Sequence, residues 1–133
     1  MKFLVVGLGS MGKRRIQNLL ILGQSDILGF DIRKDRLKEA SQLGIETFPT
    51  IESAMKQKPD AIIISTSPDT HLKYVQLATK NKIPFFTEVN TEPKHIEKIV
   101  SLSKKTKTFA VSSMTMKFHP VTELIKNYIK RGK

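Results

Sequence analysis

Six short apolar runs, at residues 2–7, 27–31, 46–48, 61–65, 83–87 and 108–112, alternate with stretches whose apolar residues recur at helical spacing. The runs read as strands, and the intervening segments at 11–22, 34–43, 51–57, 70–81 and 94–105 read as helices, with a last helix over 120–131. In the fourth helix Leu72, Val75, Leu77 and Ala78 form the expected inward stripe, with Lys73 and Lys80 outside. Pro49, Pro59, Pro84 and Pro93 each fall at an element boundary, where a missing N–H does least harm. Strands alternating with helices predict an α/β fold, a doubly wound and mostly parallel six-stranded sheet with helices on both faces. The simplest strand order is 3-2-1-4-5-6.

At 133 residues, 39% of them hydrophobic, the chain is long enough for one well-buried core. It contains no cysteine, which removes disulfides, thiolate catalysis and cysteine zinc sites and fits a reducing cytoplasm. Gly7 interrupts the first apolar run too early for a signal peptide, and no run is long enough to span a membrane, so a soluble cytoplasmic protein is expected. The net charge of +11 raises the question of nucleic acid. Its distribution argues against that partner: residues 94–133 carry ten Lys/Arg against Glu97 and Glu123, mostly on polar helix faces and without interleaved aromatics. The 18 lysines also outnumber the 5 arginines, although bidentate phosphate or base contacts favour arginine.

The first apolar run passes directly into Gly7-Leu8-Gly9-Ser10-Met11-Gly12 and a helix. Asp31 stands nineteen residues after Gly12, at the end of the second run. Strand, glycine turn, helix, strand and terminal acid at this spacing form a dinucleotide-binding fingerprint. Gly7 permits the turn, Gly9 lets backbone approach a pyrophosphate, Gly12 lets the helix pack on the strand, and the helix N-terminus, at Ser10 and Met11, faces the phosphates. Asp31 can accept both ribose hydroxyls, which points to NAD. Arg33 and Arg36 nearby leave NADP open, since either could accommodate a 2′-phosphate or stack on adenine.

Ligands in such folds bind at the carboxyl ends of the strands. The fourth strand ends in Ser65-Thr66-Ser67-Pro68-Asp69-Thr70-His71. Read locally, this is a strand-to-helix turn with Asp69 as N-cap, and His71 is a first-turn residue with no need to be buried. The fifth strand ends in Thr87-Glu88-Val89-Asn90. A glutamate closing an otherwise apolar strand needs a donor or a cleft, so Glu88 is the stronger site candidate.

Taken together these strand ends resemble the N-terminal cofactor domain of the glucose–fructose oxidoreductase/inositol dehydrogenase/MocA-type family. The resemblance rests on G-x-G-x-M-G, Asp31-x-Arg33, Ser-Thr-Ser-Pro-x-x-His, Glu88 and Lys117-Phe118-His119-Pro120, and covers nearly the whole chain. It implies a Rossmann domain that binds NAD(P) and serves oxidation or reduction of a sugar, cyclitol or nucleotide-linked sugar, with the nicotinamide near the fourth and fifth strand ends. The implied cofactor-binding set is Gly7, Gly9, Ser10, Met11, Gly12, Asp31, Arg33, Arg36, Ser65, Thr66, Ser67, His71 and Glu88. No metal ligands are expected and no residue takes a catalytic role.

The sequence departs from the family twice. The family's Glu-Lys-Pro is here Glu88-Val89-Asn90, so the lysine's proton-transfer role is vacant and Glu88 is left without a customary partner. The family also carries a C-terminal substrate domain. The expected division is therefore a dinucleotide-binding domain over 1–117 and a terminal helix over 118–133 leading toward a substrate domain absent from this sequence. A non-catalytic dinucleotide-sensing module is the alternative. The apolar positions Val121, Leu124, Ile125 and Tyr128 predict an exposed C-terminal surface through which copies self-associate.

Overall fold

A strand buried on both faces must be apolar at every position. The first strand, β1 (Phe3–Val6), shows this: Leu4 and Val6 enter one core, while Val5 enters the other with Phe3 packed beside it. The computed structural model describes residues 1–132; Lys133, the last residue of the expected terminal segment, lies outside the described residues. After β1 come α1 (Ser10–Ile21), β2 (Ile27–Phe30), α2 (Lys34–Ser41), β3 (Glu46–Phe48), α3 (Ile51–Met55) and β4 (Ala61–Ile64). A 3-10 turn (Pro68–Thr70) leads into α4 (His71–Lys80), followed by β5 (Phe85–Thr87), α5 (Pro93–Thr106) and β6 (Ala110–Ser112). A second 3-10 turn (Thr115–Phe118) precedes α6 (Pro120–Lys130). All five strand pairings are parallel, in the order β3-β2-β1-β4-β5-β6.

On one face of the sheet Leu4, Val6, Phe30, Ile62 and Ile64 meet α3, α4 and α5 through Ala54, Val75, Ala78 and Ile99. On the other, Val5 and Ile27 meet α1 and α2 through Ile16, Leu19 and Ala40. Each fully buried aliphatic side chain here contributes about 1.5–3 kcal/mol of hydrophobic free energy. Cover on the second face thins beyond β1, where α1 reaches only Ile63 and Phe86: over β4, β5 and β6 lies an apolar groove of about 640 Å³, lined among others by Phe3, Leu22, Ile63, Phe86, Phe109 and Val111. No residue of α6 is buried, and Val121, Leu124, Ile125 and Tyr128 are each about half exposed.

Two expected strands start two residues later than their apolar runs, for local reasons. Ile83 donates to the carbonyl of Ala78 and Pro84 has no N–H, so β5 starts at Phe85. Thr108 donates to Ser103 at the end of α5, so β6 starts at Ala110. The turn after β4 also differs: a 3-10 turn intervenes, and Thr70 rather than Asp69 precedes α4, with no side-chain cap bond. The Asp69 carboxyl is held below its usual range chiefly by a hydrogen bond from Ser67.

Candidate functional site

The glycine turn between β1 and α1 is set by close backbone approach. Gly7 has φ +90°, and a Cβ there would stand 2.8 Å from the backbone carbonyl of Ser65. At Gly12 a Cβ would stand 1.8 Å from the carbonyl oxygen of Gly7, so only hydrogen fits between helix and turn. Gly9 differs: its Cβ would meet no backbone, the nearest atom being the Arg36 guanidinium carbon at 3.6 Å. Nothing in the fold itself requires glycine at that point. The space above Gly9 belongs to the cleft, as a pyrophosphate pressed against backbone would need. Gly9 also provides no side-chain cap for α1 and the first helical turn has no acid, so the N-terminal amides remain available to an anion.

Asp31, 4% exposed, does more than close β2. Its Oδ2 accepts from the Leu8 amide at 2.8 Å and its Oδ1 from the Arg33 amide at 3.0 Å, tying the glycine turn to the next strand end. A carboxylate offers about four lone-pair sites, so Oδ1 keeps capacity for a ribose hydroxyl, and Oδ2 gains it if the long contact from Arg36 yields. Arg36 Nη1 lies 3.4 Å from Oδ2 and its side chain lines the cleft. Arg33 does not. Its guanidinium turns to Asp35 in the first turn of α2, at 3.1 Å from Nε and 2.5 Å from Nη2. That hydrogen-bonded pairing raises the Arg33 pKa and lowers that of Asp35.

The turn after β4 brings Ser65, Thr66 and Ser67 to the cleft wall. His71, expected to face the site without needing burial, is instead fully buried. Nε2 lies 3.0 Å from the Thr66 carbonyl and Nδ1 2.9 Å from the Thr91 hydroxyl. A carbonyl only accepts, so Nε2 carries a proton; His71 holds the Thr66 turn and does not line the cleft. The sequence reading missed Tyr74, one turn further along α4. It packs edge-to-face on Phe30, with ring centroids 6.1 Å apart, and lines the cleft. Burial, with added repulsion from the Asp31 and Glu52 carboxylates, pushes its phenol above the usual range and keeps the hydroxyl a donor.

Glu88 also lies outside the cleft, and it is not without a partner. Arg15 of α1 grips it through both nitrogen arms, Nε to Oε1 at 2.8 Å and Nη2 to Oε2 at 2.9 Å. The two side chains are 18% and 10% exposed. Arg15 also donates to Ser113 at 3.2 Å and stacks 4.9 Å from the centre of the Phe86 ring. Ser65 donates to Glu88 Oε1 at 3.5 Å. A glutamate closed by two guanidinium arms is an anchor between α1 and the ends of β4, β5 and β6, not a free proton carrier. Val89 beside it is 69% exposed.

The structure thus gathers Gly7, Gly9, Ser10, Met11, Asp31, Arg36, Ser65, Thr66 and Ser67 around one cleft of about 470 Å³, with Gly12 packed beneath its helix. Phe30, Ile32, Thr70 and Tyr74 complete the wall. The uncapped amides that open α1 lie beside the Asp31 carboxylate, an arrangement that fits a pyrophosphate and a ribose, and the residues present fit NAD. Among the described residues no cluster of His, Asp and Glu could hold a metal ion, and no helix is long and apolar enough to cross a membrane.

No curated protein matches the chain by sequence. Solved structures match its fold over nearly its full length. A probable dehydrogenase from Thermotoga maritima superposes with a TM-score of 0.85 at 22% identity, covering 99% of this chain and 41% of that one. The WlbA dehydrogenase from Bordetella pertussis, in complex with NADH and UDP-GlcNAcA, gives 0.88 at 16% identity over 100% of this chain and 42% of its own. Myo-inositol 2-dehydrogenase from Lactobacillus plantarum gives 0.84 at 18% identity, covering 99% and 41%. The chain therefore spans about two fifths of the length of these proteins. Residues 1–113, from β1 through the end of β6, match the oxidoreductase family with an NAD-binding Rossmann fold, and the chain belongs to that family.

Proposed function

We propose that the chain supplies the NAD-binding half of an oxidoreductase that acts on a sugar, cyclitol or nucleotide-linked sugar. The observation that carries this reading is the open space over Gly9, with α1's free amides at one end of the cleft and Asp31 at the other. The inositol and UDP-sugar ligands and substrates named for similar structures support the substrate class. NAD, when bound, accepts hydride from a carbinol carbon. Gly9, Ser10 and Met11 then hold the pyrophosphate, Asp31 the adenosine ribose, and Ser65, Thr66 and Ser67 border the path toward the nicotinamide. His71 and Glu88 hold the turns on which those groups sit. Absence of cysteine supports a cytoplasmic setting.

The segment from residue 118 onward serves, in this reading, as a joining surface toward substrate-bearing structure, and its apolar stripe also drives self-association. Its half-exposed Val121, Leu124, Ile125 and Tyr128 support both. A second reading, dinucleotide binding without turnover, is favoured by Val89, which cannot exchange a proton, and by the closure of Glu88 onto Arg15. Calorimetric titration tests the common core of both: NAD binds the wild-type chain, and Gly9→Val abolishes binding while leaving the folded spectrum intact. No binding of NAD(H) by wild type at millimolar concentration overturns the site.

A further inference from the structure

We infer that Asp35 sets the preference for NAD over NADP, by holding the Arg33 guanidinium away from the position a 2′-phosphate would take. The inference rests on the dinucleotide site proposed above and names the residue that tunes it. Asp31 Oδ1, the oxygen facing the start of α2, already accepts from the backbone amide of Arg33. The Arg33 side chain therefore begins at the carboxylate that receives the ribose, and an arginine rooted there is within reach of a phosphate on that sugar. The chain also places Arg36 3.4 Å from Asp31 on the cleft wall. Two guanidinium groups flanking one ribose site form an arrangement suited to a phosphate.

Asp35 removes one of them. Two residues beyond Arg33, it takes both arms of that guanidinium, at 3.1 and 2.5 Å, and Arg33 is absent from the cleft lining. The pair is more than half exposed, so it is held by geometry rather than by burial. A carboxylate at this point acts against NADP by occupying the arginine. NAD, which carries a hydroxyl in place of the phosphate, needs neither arginine and is indifferent to the pair. Selectivity then comes from an element that disfavours the competitor, with no added contact to the preferred ligand.

The test is titration calorimetry of the full chain with NAD and with NADP, in wild type, Asp35→Asn, Arg33→Ala and the double variant. Asp35→Asn should tighten NADP binding about 3–10-fold, the scale of an exposed ion pair released and re-formed on phosphate, with NAD changed less than about twofold. The double variant should lose that gain, and high salt should erase it as the Debye length falls to about 3 Å at 1 M. NADP binding unchanged in Asp35→Asn, with NAD binding intact, overturns the role of Asp35 and leaves the dinucleotide site standing. An equal gain in the double variant overturns it too, because charge removal alone would then suffice. Failure of wild type to bind either dinucleotide overturns the site and this inference with it.

Discussion

Replacing Arg15 by methionine keeps an apolar stem at that point of α1 but removes the guanidinium with its stacking on Phe86, and leaves Glu88 charged, 10% exposed and without its bidentate partner. Breaking one side of a mostly buried ion pair costs about 3–5 kcal/mol, because the remaining charge has lost its compensation. Partial solvent access to Arg15 places the expected loss at about 3–4 kcal/mol. Stability of about 0.05–0.15 kcal/mol per residue gives roughly 7–20 kcal/mol for a chain of this length, so the variant folds, with a large share of its margin gone. An unfolding entropy near 2.1 cal/mol/K per residue amounts to about 0.28 kcal/mol/K, and the loss corresponds to a Tm lower by about 11–14 °C. Thermal unfolding followed by circular dichroism, with urea denaturation to confirm the free energy, measures it. Arg15→Met/Glu88→Leu should recover most of the loss, since removing both charges from a buried pair is often neutral. A Tm drop below about 4 °C for Arg15→Met, or a double variant no better than the single, would refute the anchor role of this pair.

Two further outcomes follow from the same geometry. Asp31→Ser should weaken NAD binding and shift preference toward NADP, because the ribose acceptor goes and the repulsion of a 2′-phosphate goes with it; titration with both dinucleotides reads the ratio, and an unchanged ratio contradicts the assignment. Sedimentation equilibrium should show concentration-dependent association that Phe118→Asp weakens, with rapid amide exchange from Val121 to Tyr128, whereas a monomer whose α6 amides are as protected as those of β1 would show that this helix needs no partner.

The sequence was most informative where the backbone imposes the residue. Gly7 and Gly12 have no tolerable Cβ, and Asp31 must take two amides, so these positions could be read from spacing alone. The sheet order followed from alternation of elements and the rules of parallel crossover. Arg15 was not legible: an arginine on an N-terminal helix reads as solvated, and its partner is 73 residues away. The demand of a strand-end Glu88 for a donor was visible, but not which of the chain's cations would meet it. Tyr74 was missed because the predicted stripe of α4 was drawn from its aliphatic residues alone; Leu72 and Leu77 do pack against the core, but partly buried, at the edges of the face. The centre of that face passes through His71, Tyr74, Val75 and Ala78. Arg33 and Asp35 illustrate a third limit. Two exposed opposite charges two residues apart in sequence do not disclose whether the arginine faces a ligand or its neighbour.

The long reach of Arg15 also bears on the order in which the chain matures. Ser113, the third point of its clamp, lies 98 residues further along, roughly 5–20 s of ribosomal synthesis. The glycine turn is among the first segments to emerge, and its tie to Asp31 is available once β2 is out, 23 residues after Leu8. Its far side stays unfastened until β5 and β6 arrive, and through that interval a cation that ends up largely enclosed stands in water. A nascent or truncated chain that stops short of β6 thus holds the glycine turn on a helix packed against β1 but not yet clamped to the end of β6. Cofactor affinity acquired during synthesis should accordingly rise late, in one step near residue 113, instead of growing with each strand added.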